Sequence, residues 1–367
     1  MWNKFIDTFS RLFVGALFIF SGLVKLNDPI GTEIKLEEYF TVFADSFSPI
    51  FSIFIPWALG IALILIILEI VLGVAVLLSY RMRVTSVILL LLILFFTGLT
   101  FFSAYTGKVT DCGCFGDAIP LTPWQSFYKD LILLVFVLHI FWYRKRMKPF
   151  LPIMVNRLAV GITAIISLLV GWYAIEHLPY IDFRPYKISN SIPQNMIAEE
   201  QPIVEYTFVK DGEEVQSTTF LMPEDGYEYV EAVTINEKES TPKITDYQVF
   251  DADGNDYTEE SFKGTKLILI VQDASKADTG HLDDFRSLIE KFDGKIDIVA
   301  FTASGPDAFE AFRHEYQLGI PYYFVDATVL KAMIRSNPGV MLLRNGIVFG
   351  KWHENDIPSP DELQSLL

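Results

Sequence analysis

The chain has 367 residues, of which 51% are hydrophobic, 14% aromatic and only 20% charged. That balance excludes a disordered chain, a coiled coil and a disulfide scaffold. Residues 1–178 carry 13 Lys and Arg against 11 Asp and Glu, whereas residues 179–367 carry 16 against 34. The first half therefore reads as membrane-embedded and the second as an acidic, water-exposed part. A net charge of −16 argues against nucleic acid as a partner. Two cysteines cannot staple a chain of this length, so their role is local.

In chain order, apolar stretches at Leu12–Leu26, Pro56–Leu78, Val84–Tyr105, Phe127–Tyr143 and Leu158–Ile175 are expected to span a membrane. A span needs about 20 residues. The first stretch is short, and Arg11 and Lys25 at its ends are expected to snorkel. It has no small-residue cleavage site and reads as retained. Arg81, Arg83, Arg144, Lys145, Arg146 and Lys148 fall in two connections, while the other two are acidic. Positive connections stay in the cytoplasm. This sets the N-terminus inside and residues after about 178 outside. Trp2, Trp57, Trp124, Trp142 and Trp172 fall at or near helix ends, as an aromatic belt requires. Between the first two spans Phe40, Phe43, Phe47, Phe51 and Phe54 recur at helical spacing, and are expected to form one face of a helix roofing the bundle.

Residues 179–200 read as a linker, and Ile203–Ile235 as short strands joined by turns at Asp211-Gly212 and Glu224-Asp225-Gly226. Beyond Ile244 the pattern alternates. Strands are expected at Lys266–Val271, Ile296–Phe301 and Tyr322–Val325. Helices are expected at Leu282–Phe292, Asp307–Tyr316 and Thr328–Ile334. A hairpin of Gly339–Leu343 and Ile347–Lys351 turns at Asn345-Gly346, a type I′ signal. Strands alternating with helices imply an α/β layer fold. Asp251, Asp253, Asn255 and Asp256 hint at a calcium loop, but the sixth and twelfth positions are Asp256 and Phe262, so a turn is expected.

The end of this order, Ser336-Asn337-Pro338-Gly339-Val340 with Asn345-Gly346, resembles the thioredoxin-like family. Lys243-Ile244-Thr245-Asp246-Tyr247 with Asp253-Gly254 resembles the opening of its TlpA-like branch. The resemblance implies a cis peptide before Pro338 and a partner-binding face around it. The family's CxxC position reads Asp273-Ala274-Ser275-Lys276-Ala277-Asp278-Thr279-Gly280, without cysteine. The family's redox chemistry is therefore not expected of this domain.

Both cysteines stand in Asp111-Cys112-Gly113-Cys114-Phe115-Gly116-Asp117, between the third and fourth spans. An oxidising compartment favours their pairing, and Gly113 permits the sharp turn a bridge would need. A ring this small would be strained and more oxidising. Redox activity, an inert bridge and a metal site all remain open at this level. Zinc needs two further ligands, and Asp111, Asp117 and His177 stand at no motif spacing. Glu69 is the other outlier. Counting from Pro56 places it near the bilayer midplane, where a charge costs at least ~2.5 kcal/mol. It is expected to face the bundle interior and, lacking a cation, to be neutral. His139 counts to a similar depth, making a Glu69–His139 contact or proton relay conceivable.

Cys-Gly-Cys-Phe-Gly between the third and fourth of four helices resembles the MauE/DoxX family of redox-associated membrane proteins. Ser21-Gly22-Leu23-Val24-Lys25-Leu26 with Asp28-Pro29, Glu69 with Gly73, and Leu121-Thr122-Pro123-Trp124 with Lys129-Asp130 support it. A fifth helix plus a thioredoxin-like domain resembles Bacteroidetes-type members. The expected organisation is a membrane all-α bundle with a four-helix core at 1–150 and a fifth helix at 151–178. A linker and β-rich segment follow at 179–243, then an α/β thioredoxin-like domain at 244–367. The family's association with periplasmic thiol chemistry implies a thiol–disulfide oxidoreductase, or a subunit of one, acting through Cys112, Cys114, Glu69 and Lys25. His139, Asp111, Asp117 and Pro338 are supporting candidates. It implies a periplasmic thiol protein as partner, no certain cofactor, and quinone as the candidate electron acceptor. The alternative is a non-enzymatic scaffold whose redox-inert domain recognises a client. A fast cysteine pair requires a cation near one sulfur, with Lys25, Lys108 and Lys129 the candidates and Lys25 foremost.

Overall fold

The computed structural model describes residues 2–109, 113–149 and 151–367, leaving aside the side chains of Trp2, Asn3 and Lys238. The chain divides into two units, Met1–Phe183 and Arg184–Leu367.

The first unit is helical. Its helices are α1 (Trp2–Asn27), α2 (Pro29–Ser46), α3 (Ala58–Leu77), α4 (Met82–Thr106), α5 (Pro123–Tyr143) and α6 (Ile153–Glu176). Among the described residues five spans are long and apolar enough to cross a membrane; four of the expected stretches lie within them, and the fifth, Pro56–Leu78, overruns Pro49–Leu77 by one residue. The protein is a multi-pass membrane protein. Local chemistry sets the breaks. Asp28 caps α2 by accepting from the Gly31 N–H at 2.8 Å, with Pro29 at the first helical position. Gly107 ends α4 at φ +64. Thr122 and Gln125 close a capping box on α5. Trp57, Trp124, Trp142 and Trp172 are all exposed on the bundle.

α1 reaches ten residues further toward the N-terminus than its apolar stretch, because Lys4, Asp7 and Arg11 hide the first turns from a hydropathy reading. Arg11 does not snorkel. It donates to the carbonyls of Val76 and Leu77 at 3.3 and 2.6 Å, capping the end of α3. α1 and α3 cross closely at small residues: a Cβ on Gly73 would sit 2.8 Å from Gly15 O, and one on Gly15 3.0 Å from Gly73 O.

The phenylalanine segment is not one helix. α2 stops at Ser46, and Pro49, which cannot continue it, opens a 3-10 helix over Pro49–Trp57. Phe43 meets Phe47, Phe51 and Phe102 with ring centroids 5.7, 5.5 and 5.0 Å away, so the aromatic cluster is built from three elements. Leu36 of α2 buries against Ala58 and Ala62 of α3.

The second unit opens with the one-turn helix α7 (Ile192–Asn195). A three-stranded antiparallel sheet follows, made by β1 (Val204–Lys210), β2 (Glu213–Ser217) and β3 (Glu228–Thr234) in the order β2-β1-β3. Next come the one-turn helices α8 (Glu237–Ser240) and α9 (Thr258–Ser261), with β4 (Val249–Phe250) between them. The main layer then alternates through β5 (Thr265–Val271), α10 (Leu282–Phe292), β6 (Asp297–Thr302), α11 (Pro306–Glu315), β7 (Tyr322–Val325), α12 (Ala327–Met333), β8 (Gly339–Arg344), β9 (Ile347–His353) and α13 (Pro360–Leu366). Its six-stranded sheet has the order β4-β7-β6-β5-β8-β9. β5, β6 and β7 are parallel, and β8 is antiparallel to β5, with Leu267 opposite Leu342. Every residue of Lys266–Val271 is buried, which requires cover on both faces. One face carries Leu267, Leu269, Val271, Phe285, Phe292, Phe309 and Leu342. Asn345 and Gly346 turn the hairpin at φ +49 and +75, as the type I′ signal requires.

The Asn337–Pro338 peptide is cis, as the resemblance implied. Strand order, the parallel and antiparallel pairing, and this proline before β8 make the layer thioredoxin-like. The Asp251 segment is a turn whose carboxylate accepts from the N–H of Asp253 and of Asn255. Residues read as a linker run instead along β9. Ser189 N donates to Val348 O at 2.8 Å, Val348 N to Asn190 O at 3.0 Å and Ile192 N to Gly346 O at 2.9 Å. Tyr186 and Ile192 are buried there.

Candidate functional site

The loop carrying the cysteines lies at one end of the membrane unit, with the ends of α1 and α4 and the start of α5. The other end holds the arginine-rich turns. Ser21 and Lys25 are four residues apart, and so share one face of α1. Gly22 between them has no Cβ, which lets α3 come close: a Cβ there would meet Ile70 at 2.5 Å and Glu69 Cβ at 3.3 Å.

That approach places Glu69, 2% exposed, against α1. Lys25 Nζ donates to Glu69 Oε1 at 2.6 Å, and Ser21 Oγ to Glu69 Oε2 at 2.9 Å. The expectation of a carboxyl without a cation is corrected: Glu69 is inside the bundle, as expected, but ion-paired. Lys25 turns inward rather than snorkelling, its ammonium held on the buried carboxylate. Its ammonium also lies 4.9 Å from the Phe96 ring centroid. Ser21 is six residues from the end of α1, roughly 9 Å at 1.5 Å per residue. Glu69 counts about 16 Å from the start of α3 by the same rule, so the helices are staggered.

His139 is far from this group. Its Nε2 lies 2.8 Å from Asp7 Oδ1, and Arg146 approaches the same oxygen at 3.9 Å. It stands one turn from the end of α5, at the arginine-rich end. The conceivable Glu69–His139 contact is therefore absent: α5 runs opposite to α1, and counting from a misjudged helix start misplaced the residue.

A second carboxylate–lysine pair faces the first. Asp130, 1% exposed on α5, takes Lys129 Nζ at 2.8 Å on one oxygen and Thr100 Oγ1 at 3.0 Å on the other. The Lys129 ammonium lies 5.1 Å from the Phe115 ring centroid. It interacts electrostatically with Cys114, Asp130 and Glu69. The sequence alone does not single out Thr100 or Asp130 as functional. The available signal was an acid seven residues inside an apolar helix.

Cys112 and Asp111 lie outside the described residues. Cys114 is half-buried, and its carbonyl accepts from Ser21 Oγ at 3.0 Å. One hydroxyl thus stands between Glu69 and the cysteine loop, its single proton shared between the two acceptors. Gly113 and Gly116 adopt φ +63 and +49, which the tight turn requires. Phe115 is buried and packs on Phe20 at 5.5 Å. Asp117 is exposed on the same turn. Lys108 is engaged elsewhere, donating to Ser46 Oγ at 2.7 Å. His177 ends α6, 4.3 Å from Tyr173 between ring centroids. No group of three or more His, Cys, Asp or Glu arranged to hold a metal occurs among the described residues.

In the second unit, Asp273–Gly280 is tied to the loop before Pro338. Asn337 Oδ1 accepts from Gln272 N at 2.9 Å, Asn337 Nδ2 donates to Asp273 O at 2.8 Å, and Asn337 O accepts from Asp278 N at 2.8 Å. Where thioredoxin-like proteins place two thiols, this chain places amide and carboxylate groups.

Residues 3–143 match the family described as methylamine utilisation protein MauE. This MauE-type region contains the two lysine–carboxylate pairs and both cysteines. The chain is also similar to protein TlpB of Flavobacterium psychrophilum, at 30% identity over 135 residues. That stretch is 36% of this chain and 35% of the relative, so the match spans about a third of each. Among solved structures, a thiol peroxidase from Chromobacterium violaceum is similar at 17% identity, with a TM-score of 0.27, over 34% of this chain and 82% of that one.

Proposed function

We propose that this protein is a membrane thiol–disulfide redox protein, acting on the periplasmic side of a bacterial inner membrane through Cys112 and Cys114. The observation that carries the reading is the direct connection from the cysteine loop to a buried acid–base core, Cys114 O–Ser21 Oγ–Glu69–Lys25. The likeness to a methylamine utilisation protein over residues 3–143 supports it. The orientation rests on the arginine-rich turns remaining in the cytoplasm.

In this reading a client dithiol reduces the Cys112–Cys114 disulfide and leaves as a disulfide, two electrons and two protons passing to the pair. Reoxidation needs a two-electron acceptor, and a membrane quinone fits by chemical class because it takes two electrons and two protons to become a quinol. Glu69 and Asp130 stand near the loop to take protons, and Lys25 and Lys129 offset negative charge. The acceptor role of quinone is tested by following the thiol state of the pair with and without it.

A second reading has its own support. The thioredoxin-like unit lacks cysteine, and the side chain of Asn337 ties the backbone of Gln272 and Asp273, at the start of its expected redox position, to the loop before Pro338. A scaffold would use that unit, around Pro338, to hold a client. Replacing both cysteines by Ser separates the two. Loss of complementation by a protein that still inserts supports the redox reading, and full complementation refutes it in favour of the scaffold.

A further inference from the structure

We propose that β3 is a docking edge, where an extended segment of alternating basic and apolar residues adds to the three-stranded sheet as a further strand. The proposal goes beyond the redox reading, since it uses neither cysteine and no residue of the membrane unit.

The order β2-β1-β3 leaves one side of β3 open. Ile235 N donates to Ile203 O at 2.9 Å, so the backbone of Ile235 faces the β1 side. Backbone direction alternates along an antiparallel strand, so Ala232 and Thr234 turn their N–H and C=O groups to the open side. The bulge between Thr207 and Phe208 leaves Glu231–Thr234 in register with β1. Every residue from Glu228 to Val233 is exposed, on both faces. An edge of this kind is normally blunted by Lys, Pro or a covering element. β3 contains neither Lys nor Pro, and exposes Tyr229, Val230 and Val233. The opposite edge is less suited: β2 has five residues and one apolar side chain, the half-buried Val215.

Charge selects the occupant. The pairing sets Glu205 opposite Val233, Thr207 opposite Glu231, and Val209 between Glu214 and Glu228. Residues paired across strands share a face, so these four glutamates line one side of the sheet. Residues 204–234 hold eight Asp and Glu against one Lys. That Lys210 falls on the other face, its ammonium 4.3 Å from the Tyr227 ring centroid. A second copy is disfavoured. Antiparallel pairing of two β3 strands in full overlap sets Glu231 opposite itself, and like charges directly opposite are destabilising. A strand with Lys or Arg beside Glu228 and Glu231 meets opposite charge there. Its apolar side chains, on the other face, meet Tyr229, which is paired with Phe208. Backbone pairing then supplies affinity, and the alternate side chains supply the choice of partner.

The test uses the full chain in nanodiscs of zwitterionic lipid, which carries no net charge to attract a cationic peptide. The probe is a fluorescent peptide of about nine residues alternating Lys and Val, followed by anisotropy. It should bind, and a Glu-Val peptide should not. Ala232→Pro removes an N–H that faces the open side, so it should weaken binding about tenfold or more while β1 stays paired. Glu228→Gln with Glu231→Gln should weaken binding about three- to tenfold and flatten its dependence on salt. Because proline can distort the strand, the unaltered protein is also offered a Lys-Val peptide N-methylated throughout. That peptide keeps its charge, loses its backbone donors, and should bind about tenfold more weakly or worse. Absence of Lys-Val binding overturns the proposal. Equal binding of the methylated and unmethylated peptides also overturns it, because the attraction is then one of charge alone. Binding that survives Ala232→Pro, or the paired glutamine substitutions, unchanged does the same. Self-association of the protein that Ala232→Pro abolishes makes a second copy the occupant and equally overturns it.

Discussion

Removing one member of the Lys25–Glu69 pair should damage the membrane unit more than removing both. At 2.6 Å and an effective dielectric near 20, the two charges attract by about 6 kcal/mol. Taking each ion out of water costs several kcal/mol, so the pair as a whole is close to neutral for stability. A single deletion leaves the other charge without its compensation. Glu69 is 2% exposed and would keep the Ser21 hydroxyl but lose its ion-pair partner, so Lys25→Met should cost about 3–5 kcal/mol. Lys25 stands two residues from the end of α1 and can extend toward water once released, so Glu69→Leu should cost less. The double variant should recover most of the loss. For a unit of this size each kcal/mol moves the melting temperature by about 2–4 °C. Heating the detergent-solubilised protein and measuring the surviving fraction by size exclusion gives all four corners of the cycle. Single effects that simply add in the double variant would refute the account, because additivity would mean that the two charges do not depend on each other.

Tyr186→Phe should cost nothing at neutral pH, because Tyr186 Oη is buried without a hydrogen-bond partner. Burial pushes the Tyr186 phenol up from its ordinary 10.0, so the folded state resists its ionisation while the unfolded chain releases the proton. Stability is therefore complete below about pH 10 and falls above it, and the variant should show a shallower alkaline decline in thermal melts; a loss at neutral pH, or an unchanged alkaline limb, would count against this. Gly73→Ala should lower stability by about 1–3 kcal/mol, since its Cβ would sit 2.7 Å from Ile19 and 2.8 Å from Gly15 O. Gly98→Ala, with nothing within 4 Å, should be neutral or raise stability by up to about 1 kcal/mol. Equal effects of the two, by the same heating assay, would remove the close helix crossing from the account.

The sequence was most readable where one residue determines its own surroundings. Leu267–Val271 is apolar without interruption and became a strand covered on both faces. Asn345-Gly346 demanded positive φ and turned the hairpin. Glu69 was conspicuous because a carboxylate among leucines needs a reason. What the sequence withheld was relative placement. The stagger of α1 against α3, set by Gly15, Gly22 and Gly73, decides that Glu69 meets Lys25. No residue count along a single helix contains that offset, and the same gap misplaced His139. The phenylalanine spacing was real, but Pro49 divides the segment that carries it, so periodicity alone joined two elements. β4 and the run beside β9 were missed because two or three residues paired at a sheet edge leave no period to detect. Lys129 was a candidate cation already in the sequence, whereas Asp130 and Thr100 gained their interest only when four helices brought them under one loop.

The run from Ser189 to Ile192 beside β9 ties the beginning of the second unit to its last strand. The two partners are separated by about 155 residues of chain, which makes this among the most non-local pairings a unit of this length can hold. Closing a loop of that size costs entropy before any contact repays it, and non-local pairing slows folding. On a ribosome, Ser189–Ile192 is made first and Ile347–His353 nearly last. Throughout that interval one margin of the growing sheet has no mate, and its unpaired backbone groups can template association with other chains. The acidic character of residues 179–367 offers protection in that interval, since like charges keep unfinished copies apart. The same clasp means that cutting the chain after β8 would uncover both the strap and the hairpin edge, so C-terminal truncations should yield insoluble protein rather than a shortened domain.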